Sequence, residues 1–320
     1  MTNFKKIGLT ALAGTLAATT FAQAGGLTVG GNAFMEYQTN KSDEAAQKDH
    51  TDGYVMNSSL AFSGSGELDN GMTVSMYQTL SSGAVTSEGV TLDMGDMGKV
   101  SLDRWGYHAG ITSIADKIPT AAENVHDDTA GSHDSPAQGV AKIGSDGSDV
   151  LGYVYAADAF TLSASSSFNA SGSEESIAIS TTSLIDGLSI GYGIGTNMST
   201  GAVVDGGENE DDVSTAYAVY TVGPVSIGYQ QTKVDGELAK TDIEAAHYGI
   251  SFAVNENTSV SYGERDVDFD SLAFNEKSEG VSVSYTAGSM TLQVVNNKKA
   301  NVGGGAIDDE VLELKLKMAF

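Results

Sequence analysis

The sequence predicts an all-β fold, a sixteen-stranded antiparallel transmembrane β-barrel. Three observations predict it. The chain ends on a strand with one wholly apolar face and one charged face. It begins with an export signal. Between the two, short turns and longer acidic connectors alternate along the chain.

The last strand carries the sharpest pattern. Leu312, Leu314, Leu316, Met318 and Phe320 share one parity, while Glu313, Lys315, Lys317 and Ala319 share the other. Strand side chains point alternately to opposite faces, so this strand suits lipid on one side and water on the other. At the opposite end, Lys5 and Lys6 supply a positive charge, Ile7 to Ala18 form a short apolar stretch, and Ala22-Gln23-Ala24 is a small-x-small cleavage site. Residues 1–24 are expected to be a signal peptide and 25–320 the barrel domain. The apolar stretch is too short for a spanning helix, and no later run of about 18 apolar residues supplies one.

Composition fits the same reading. The chain carries 42 acidic and 16 basic residues, a net charge of −26, and the signal takes Lys5 and Lys6 away with it. So acidic a chain lacks the basic footprint of a nucleic-acid binder and has little attraction for anionic lipid; it favours cations. Cysteine is absent, and a closed barrel needs no disulfides, because neighbouring strands satisfy every backbone group. Glycine is abundant (39) but proline is rare (3). Proline cannot donate to a strand ladder; Pro119 and Pro136 fall in one long loop and Pro224 in a tight turn.

In order, strands are expected at 27–39, 55–66, 72–81, 88–94, 99–105, 149–157, 160–168, 175–184, 188–197, 213–222, 225–233, 242–254, 258–266, 277–286, 289–297 and 310–320. The early segments are β-rich without clean alternation. The later ones alternate plainly: Leu188, Ile190, Tyr192 and Ile194; Tyr248, Ile250, Phe252 and Val254; Val281, Val283 and Tyr285; Met290, Leu292 and Val294. Ser, Thr, Gly and Gln occupy the other parity, a face suited to water. Even-numbered connectors are tight turns such as Asp69-Asn70-Gly71, Ile185-Asp186-Gly187 and Gly223-Pro224, where Asn-Gly and Asp-Gly accept the positive φ that hairpins need. Odd-numbered connectors are mostly longer and acidic: 40–54, 106–148, 198–212, 234–241, 267–276 and 298–309; 82–87 and 169–174 are short exceptions. Transmembrane barrels have this asymmetry, with tight periplasmic turns and longer outer loops. An even count puts both termini at the short-turn end, and sixteen strands leave room for an aqueous channel.

In its signal peptide, its sixteen hairpin-paired strands and its ending Leu312-x-Leu314-x-Leu316-x-Met318-x-Phe320, the chain resembles the bacterial outer-membrane general-diffusion porins, most closely the alphaproteobacterial kind. The resemblance covers the whole mature chain. It implies a homotrimer in the bacterial outer membrane, a terminal aromatic signal read by the barrel-assembly machinery, and a third outer loop folded into the lumen. That in-folded loop would be 106–148. Two features of the enteric relatives are absent: the Pro-Glu-Phe-Gly-Gly segment of the constriction loop and the arginine cluster opposite it. Only Arg104 and Arg265 are present.

If the loop enters the lumen, Asp116, Glu123, Asp127, Asp128 and Asp134 lie at the constriction, against Lys117 and Lys142. Rings of carboxylates favour cations in a pore, and poor screening by water in a narrow place strengthens them. Lys99, Lys315 and Lys317 have water-facing parity and are candidates for a basic pore wall. Arg104 shares parity with Val100 and Leu102 and points away from water. Trp105 reads as an interface marker. Outer-loop acids cluster at Asp43 and Glu44, at Glu208, Glu210, Asp211 and Asp212, and at Asp266, Asp268 and Asp270. They are candidates to hold divalent cations loosely and to bridge to lipopolysaccharide.

No cofactor and no fixed metal site are expected. Asp266-x-Asp268-x-Asp270 begins like an EF-hand loop but lacks Gly at position six and has Lys277 where the bidentate Glu belongs. Gly303 to Asp308 looks like one calcium-binding nonapeptide, a motif that needs repeats. The five histidines show no zinc-type spacing, and no catalytic arrangement stands out. The reading is a passive, weakly cation-preferring channel for small hydrophilic solutes and ions, with outer-membrane lipid around it. The alternatives are a substrate-selective outer-membrane channel, which would need an aromatic track, and an acidic exported surface or adhesion β protein, which would not need the connector alternation or Phe320.

Overall fold

In the computed structural model the described residues are 26–42, 52–104, 109–126, 149–169, 172–196, 211–236, 242–270 and 272–320. The expected signal peptide, Trp105, Asp127, Asp128 and Asp134 lie outside them.

Sixteen strands form one closed antiparallel barrel. They are β1 Thr28–Ser42, β2 Gly53–Glu67, β3 Thr73–Ser81, β4 Ala84–Asp93, β5 Lys99–Arg104, β6 Asp149–Ala156, β7 Thr161–Asn169, β8 Gly172–Thr181, β9 Leu188–Thr196, β10 Asp212–Val222, β11 Val225–Asp235, β12 Ile243–Asn255, β13 Thr258–Phe269, β14 Glu276–Ala287, β15 Met290–Ala300 and β16 Asp309–Ala319. Every expected strand is present. The main boundary difference is at β4, which starts four residues early and leaves a tight Ser82-Gly83 turn with positive φ at both residues.

The ends close the cylinder. β1 pairs with β16 along its length, and beyond the last strand residue the Phe320 N–H donates to the Gly31 carbonyl (2.9 Å) while the Gly31 N–H donates to the Phe320 carbonyl (2.8 Å). The Phe320 ring lies so close to Gly31 that a Cβ there would collide with it. Leu312, Leu314 and Phe320 are exposed on the outer face, while Glu313 and Lys315 are buried on the lumen face.

The lumen face is not polar throughout. At the outer-loop ends of β10–β13 it carries Val213, Val234, Ile243, Ala245, Val267 and Phe269, packed with Ile111 into a buried apolar cluster. Exclusion of water, which makes apolar burial favourable, accounts for this departure from the expected wet interior.

Candidate functional site

The connector after β5 enters the barrel. Its described part, 109–126, opens with a 3₁₀ turn over Gly110–Ile114 whose Gly110, Ile111 and Ile114 are buried. Gly110 takes a positive φ of 67° and fits against Ser165 and Ser176, where a side chain would collide. The Gly110 N–H donates to Ser163 Oγ (2.8 Å) on β7 and the Ile111 N–H to Ser176 Oγ (2.9 Å) on β8.

From there the segment runs along the inner wall. Gln230 of β11 clamps it at mid-course: its Oε1 accepts from the Lys117 N–H (3.1 Å), and its Nε2 donates to the carbonyls of Ile114 (2.9 Å) and Ala115 (2.8 Å). The Ala121 N–H donates to Ser261 Oγ (2.9 Å) on β13 and the Ala122 N–H to Ser282 Oγ (3.1 Å) on β14. Asn297 Nδ2 of β15 donates to the Asn124 carbonyl (3.1 Å). An irregular segment inside a barrel must pair its backbone groups, and here hydroxyl and amide side chains of the wall do so.

The segment ends at a charged node. Lys315 of β16 donates to Glu123 of the segment and lies 2.9 Å from Glu36 of β1 and 3.5 Å from Glu313. One ammonium thus faces three carboxylates, all little exposed. The Lys315 ammonium also sits 5.5 Å from the Phe34 ring centroid. Two residues read separately from the sequence, one as a constriction acid and one as a wall cation, are brought together.

Asp116 accepts from Asn124 Nδ2 (2.7 Å). Its residue surface reaches lumen water, yet the protein walls desolvate the carboxyl and raise its pKa above the ordinary 3.8, against the opposing Asn124 hydrogen bond and the Lys117 charge. At the far end, His126 packs edge-on to His247 of β12 (ring centroids 5.2 Å). Burial holds the His126 pKa well below 6.5, helped by Arg265, His247 and Lys299. Sequence spacing gave no sign of this pair, because the residues lie on a loop and a distant strand.

The other wall candidates sit elsewhere. Lys99 pairs with Asp93 (2.9 Å) at the short-turn end of β4 and β5, and Lys317 pairs in register with Phe34 near the short-turn end of β16. Arg104 faces outward, as its parity requires. It bridges Asp149 (Nε to Oδ1, 2.7 Å) and Glu88 (Nη1 to Oε1, 3.0 Å) across β4–β6.

The segment covers the lumen side of the barrel from Gly152 of β6, against Ala109, round to Lys315 of β16. Asn57, Ser75, Thr91 and Ser101 on β2–β5 stay partly open. Among the described residues, the ionisable Asp, Glu, Lys and Arg side chains with lumen parity on β1–β5 are Glu36, Glu67, Asp93, Asp103 and Lys99. Acids outnumber the one lysine on this side, with Glu36 and Asp103 buried. Among the described residues no group of three or more His, Cys, Asp and Glu is placed to hold a metal ion.

A family model described as Gram-negative porin matches residues 8–314. No curated protein matches the chain. Among solved structures, a porin refined at 1.8 Å resolution is 18% identical, with a TM-score of 0.66 over 92% of this chain and 100% of that one. A triple mutant of the Rhodopseudomonas blastica porin is 16% identical (TM-score 0.61; 92% and 100% covered). The trimer form of OmpT, an outer membrane protein of Vibrio cholerae, is 13% identical (TM-score 0.65; 93% and 100% covered). At these identities the solved structures speak for the fold.

Proposed function

The chain belongs to the Gram-negative porin family of the bacterial outer membrane, and we propose that it is a passive channel for small hydrophilic solutes and ions with a weak preference for cations. One observation carries the preference. The in-folded segment presents an exposed Asp116, and the wall lysine Lys315 is outnumbered by the three carboxylates of Glu36, Glu123 and Glu313 that hold it, so the node keeps a net negative charge. A cation entering this space meets carboxylates in poorly screened surroundings, and no arginine faces it from β1–β5. A strong transverse field is not part of this reading.

Three further readings go with it. The chain works as a homotrimer, supported by the trimer form of its solved relative. The ending Leu312 to Phe320 serves the barrel-assembly machinery, supported by the tie of Phe320 to Gly31 at the closing seam. Outward acids at the outer ends, such as Asp266 and Asp268, hold divalent cations loosely beside lipopolysaccharide.

Purified protein in planar bilayers tests the main reading. Stepwise conductance in groups of three and a reversal potential on the cation side are expected in a salt gradient. Anion preference overturns the charge argument, and the absence of conductance overturns the channel.

A further inference from the structure

On the lumen face of β11–β14 the register aligns three rows of side chains. Gly228, Gly249, Gly263 and Gly280 pair directly with one another across the four strands. On the short-turn side of that row, Ser226, Ser251, Ser261 and Ser282 pair in the same way. On the outer-loop side the row is Gln230, His247, Arg265 and Ser278. Adjacent strands are about 4.8 Å apart, so four glycines in register leave a trough roughly 14 Å long.

The constriction segment lies in this trough. A Cβ on Gly228 would overlap the Pro119 ring at Cδ, and one on Gly249 would overlap Ile118 Cγ2 and lie 3.1 Å from the Pro119 carbonyl oxygen. A Cβ on Gly263 would lie 3.0 Å from Val125 Cγ1; one on Gly280 would first overlap Asn297 Oδ1 of β15 (2.0 Å) and lie 3.1 Å from Val125 Cγ1. The apolar side chains of the segment thus face the glycines. Its backbone bonds to the rims, through Ser261 and Ser282 on one side and Gln230 on the other. Neither obstruction at the β11–β12 end of the trough can swing aside: Pro119 is a ring, and Ile118 branches at Cβ, which restricts its χ1.

We propose that the glycine row on β11–β14 sets the bore of the channel by fixing how close to the wall Ile118 and Pro119 sit. The inference deepens the channel reading and rests on it. Carbon atoms in contact prefer about 3.5–4.0 Å. A single methyl at Gly249 therefore lifts the segment by roughly 1 Å into the open lumen beside β1–β5. Gly228 and Gly249 are positioning residues, acting on permeation through the segment they seat.

The test is single-channel conductance of Gly249→Ala, Gly249→Val and Gly228→Ala, with Gly30→Ala as control. Gly30 has lumen parity on β1 but nothing within 4 Å of its Cβ position. Conductance should fall on going from Gly to Ala to Val at position 249, fall for Gly228→Ala, and stay unchanged for Gly30→Ala. Circular dichroism and gel mobility should show a folded barrel in each case. The double variant Ile118→Ala/Gly249→Ala removes the clashing atom and should recover the wild-type conductance, which a general loss of packing would not. Wild-type conductance in Gly249→Val, or no recovery in the double variant, overturns the inference. A wild-type protein that does not conduct overturns the channel reading instead.

Discussion

The node at Lys315 offers the most demanding test. Its side chain is 6% exposed, and those of Glu36 and Glu313 are 2% exposed. At 2.9 Å and an effective dielectric near 20, the Lys315–Glu36 attraction alone is about 6 kcal/mol before desolvation is charged against it. Lys315→Met removes the ammonium at similar length and leaves three carboxylates crowded together. Removing one partner of a buried ion pair costs about 3–5 kcal/mol, and mutual repulsion of the remaining acids places this site toward the upper end. Urea unfolding of the barrel in detergent, followed by tryptophan fluorescence and gel mobility, measures the loss. Adding Glu123→Gln should recover part of it, because one stranded charge is gone. Arg104→Met is the internal control. Its bridge to Glu88 and Asp149 joins side chains that are 34–48% exposed, and such pairs contribute only about 0.2–1 kcal/mol. A Lys315→Met loss no larger than that of Arg104→Met would refute the idea that buried electrostatics tie the segment to β16.

Two other outcomes are expected. Deleting Phe320 removes both hydrogen bonds to Gly31 and should lower the yield of assembled barrel, scored by the heat-dependent gel shift; normal yield counts against a role in assembly. For pH, the raised Asp116 pKa means that the folded channel holds this proton more tightly than the unfolded chain. Its contribution to stability is complete below 3.8 and is lost as pH rises through the higher folded value. Cation preference should run the opposite way, declining as acidification neutralises Asp116 at a pH above 3.8. Reversal potentials of wild type and Asp116→Asn should differ only above that window, and superimposable curves would remove Asp116 from the selectivity path.

The strands were legible because lipid outside and water inside force a period of two onto the chain. That period shows best in β12–β16, where Tyr248, Ile250 and Phe252 or Leu312 and Leu314 alternate with small or charged residues. The outward aim of Arg104 follows from parity alone, whereas its partners Glu88 and Asp149 follow only from register. The same limit hid the seat of the segment. Gly228, Gly249, Gly263 and Gly280 look like ordinary small residues on four separate strands until pairing lines them up. Glu123 and Lys315 were each visible as charged candidates, but 192 positions separate them, and no local pattern joins such a pair. Asp127, Asp128 and Asp134 remain expectations beyond the described residues.

One further signal was present in the sequence but asks for a different reading. On β10–β13 the alternation inverts near the outer-loop end. There Lys233, Glu244, Asp266 and Asp268 take the outward parity, while Val234, Ile243, Val267 and Phe269 take the lumen parity and are buried. Outward charge at that height is incompatible with hydrocarbon, so the inversion marks where lipid tails give way to headgroups. Just below it stand Tyr229 and Tyr248, paired in register with ring centroids 4.9 Å apart, and Tyr262 on the next strand. Tyrosines with one apolar and one wet end suit that boundary. The inward apolar residues have the complementary cause. Where the outside is polar, an apolar core inside adds to the ladder hydrogen bonds of β10–β13, and Ile111 of the in-folded segment joins that core. The segment is therefore anchored in two places: below, Glu123 meets Lys315 of β16; above, its apolar start packs into the core of β10–β13.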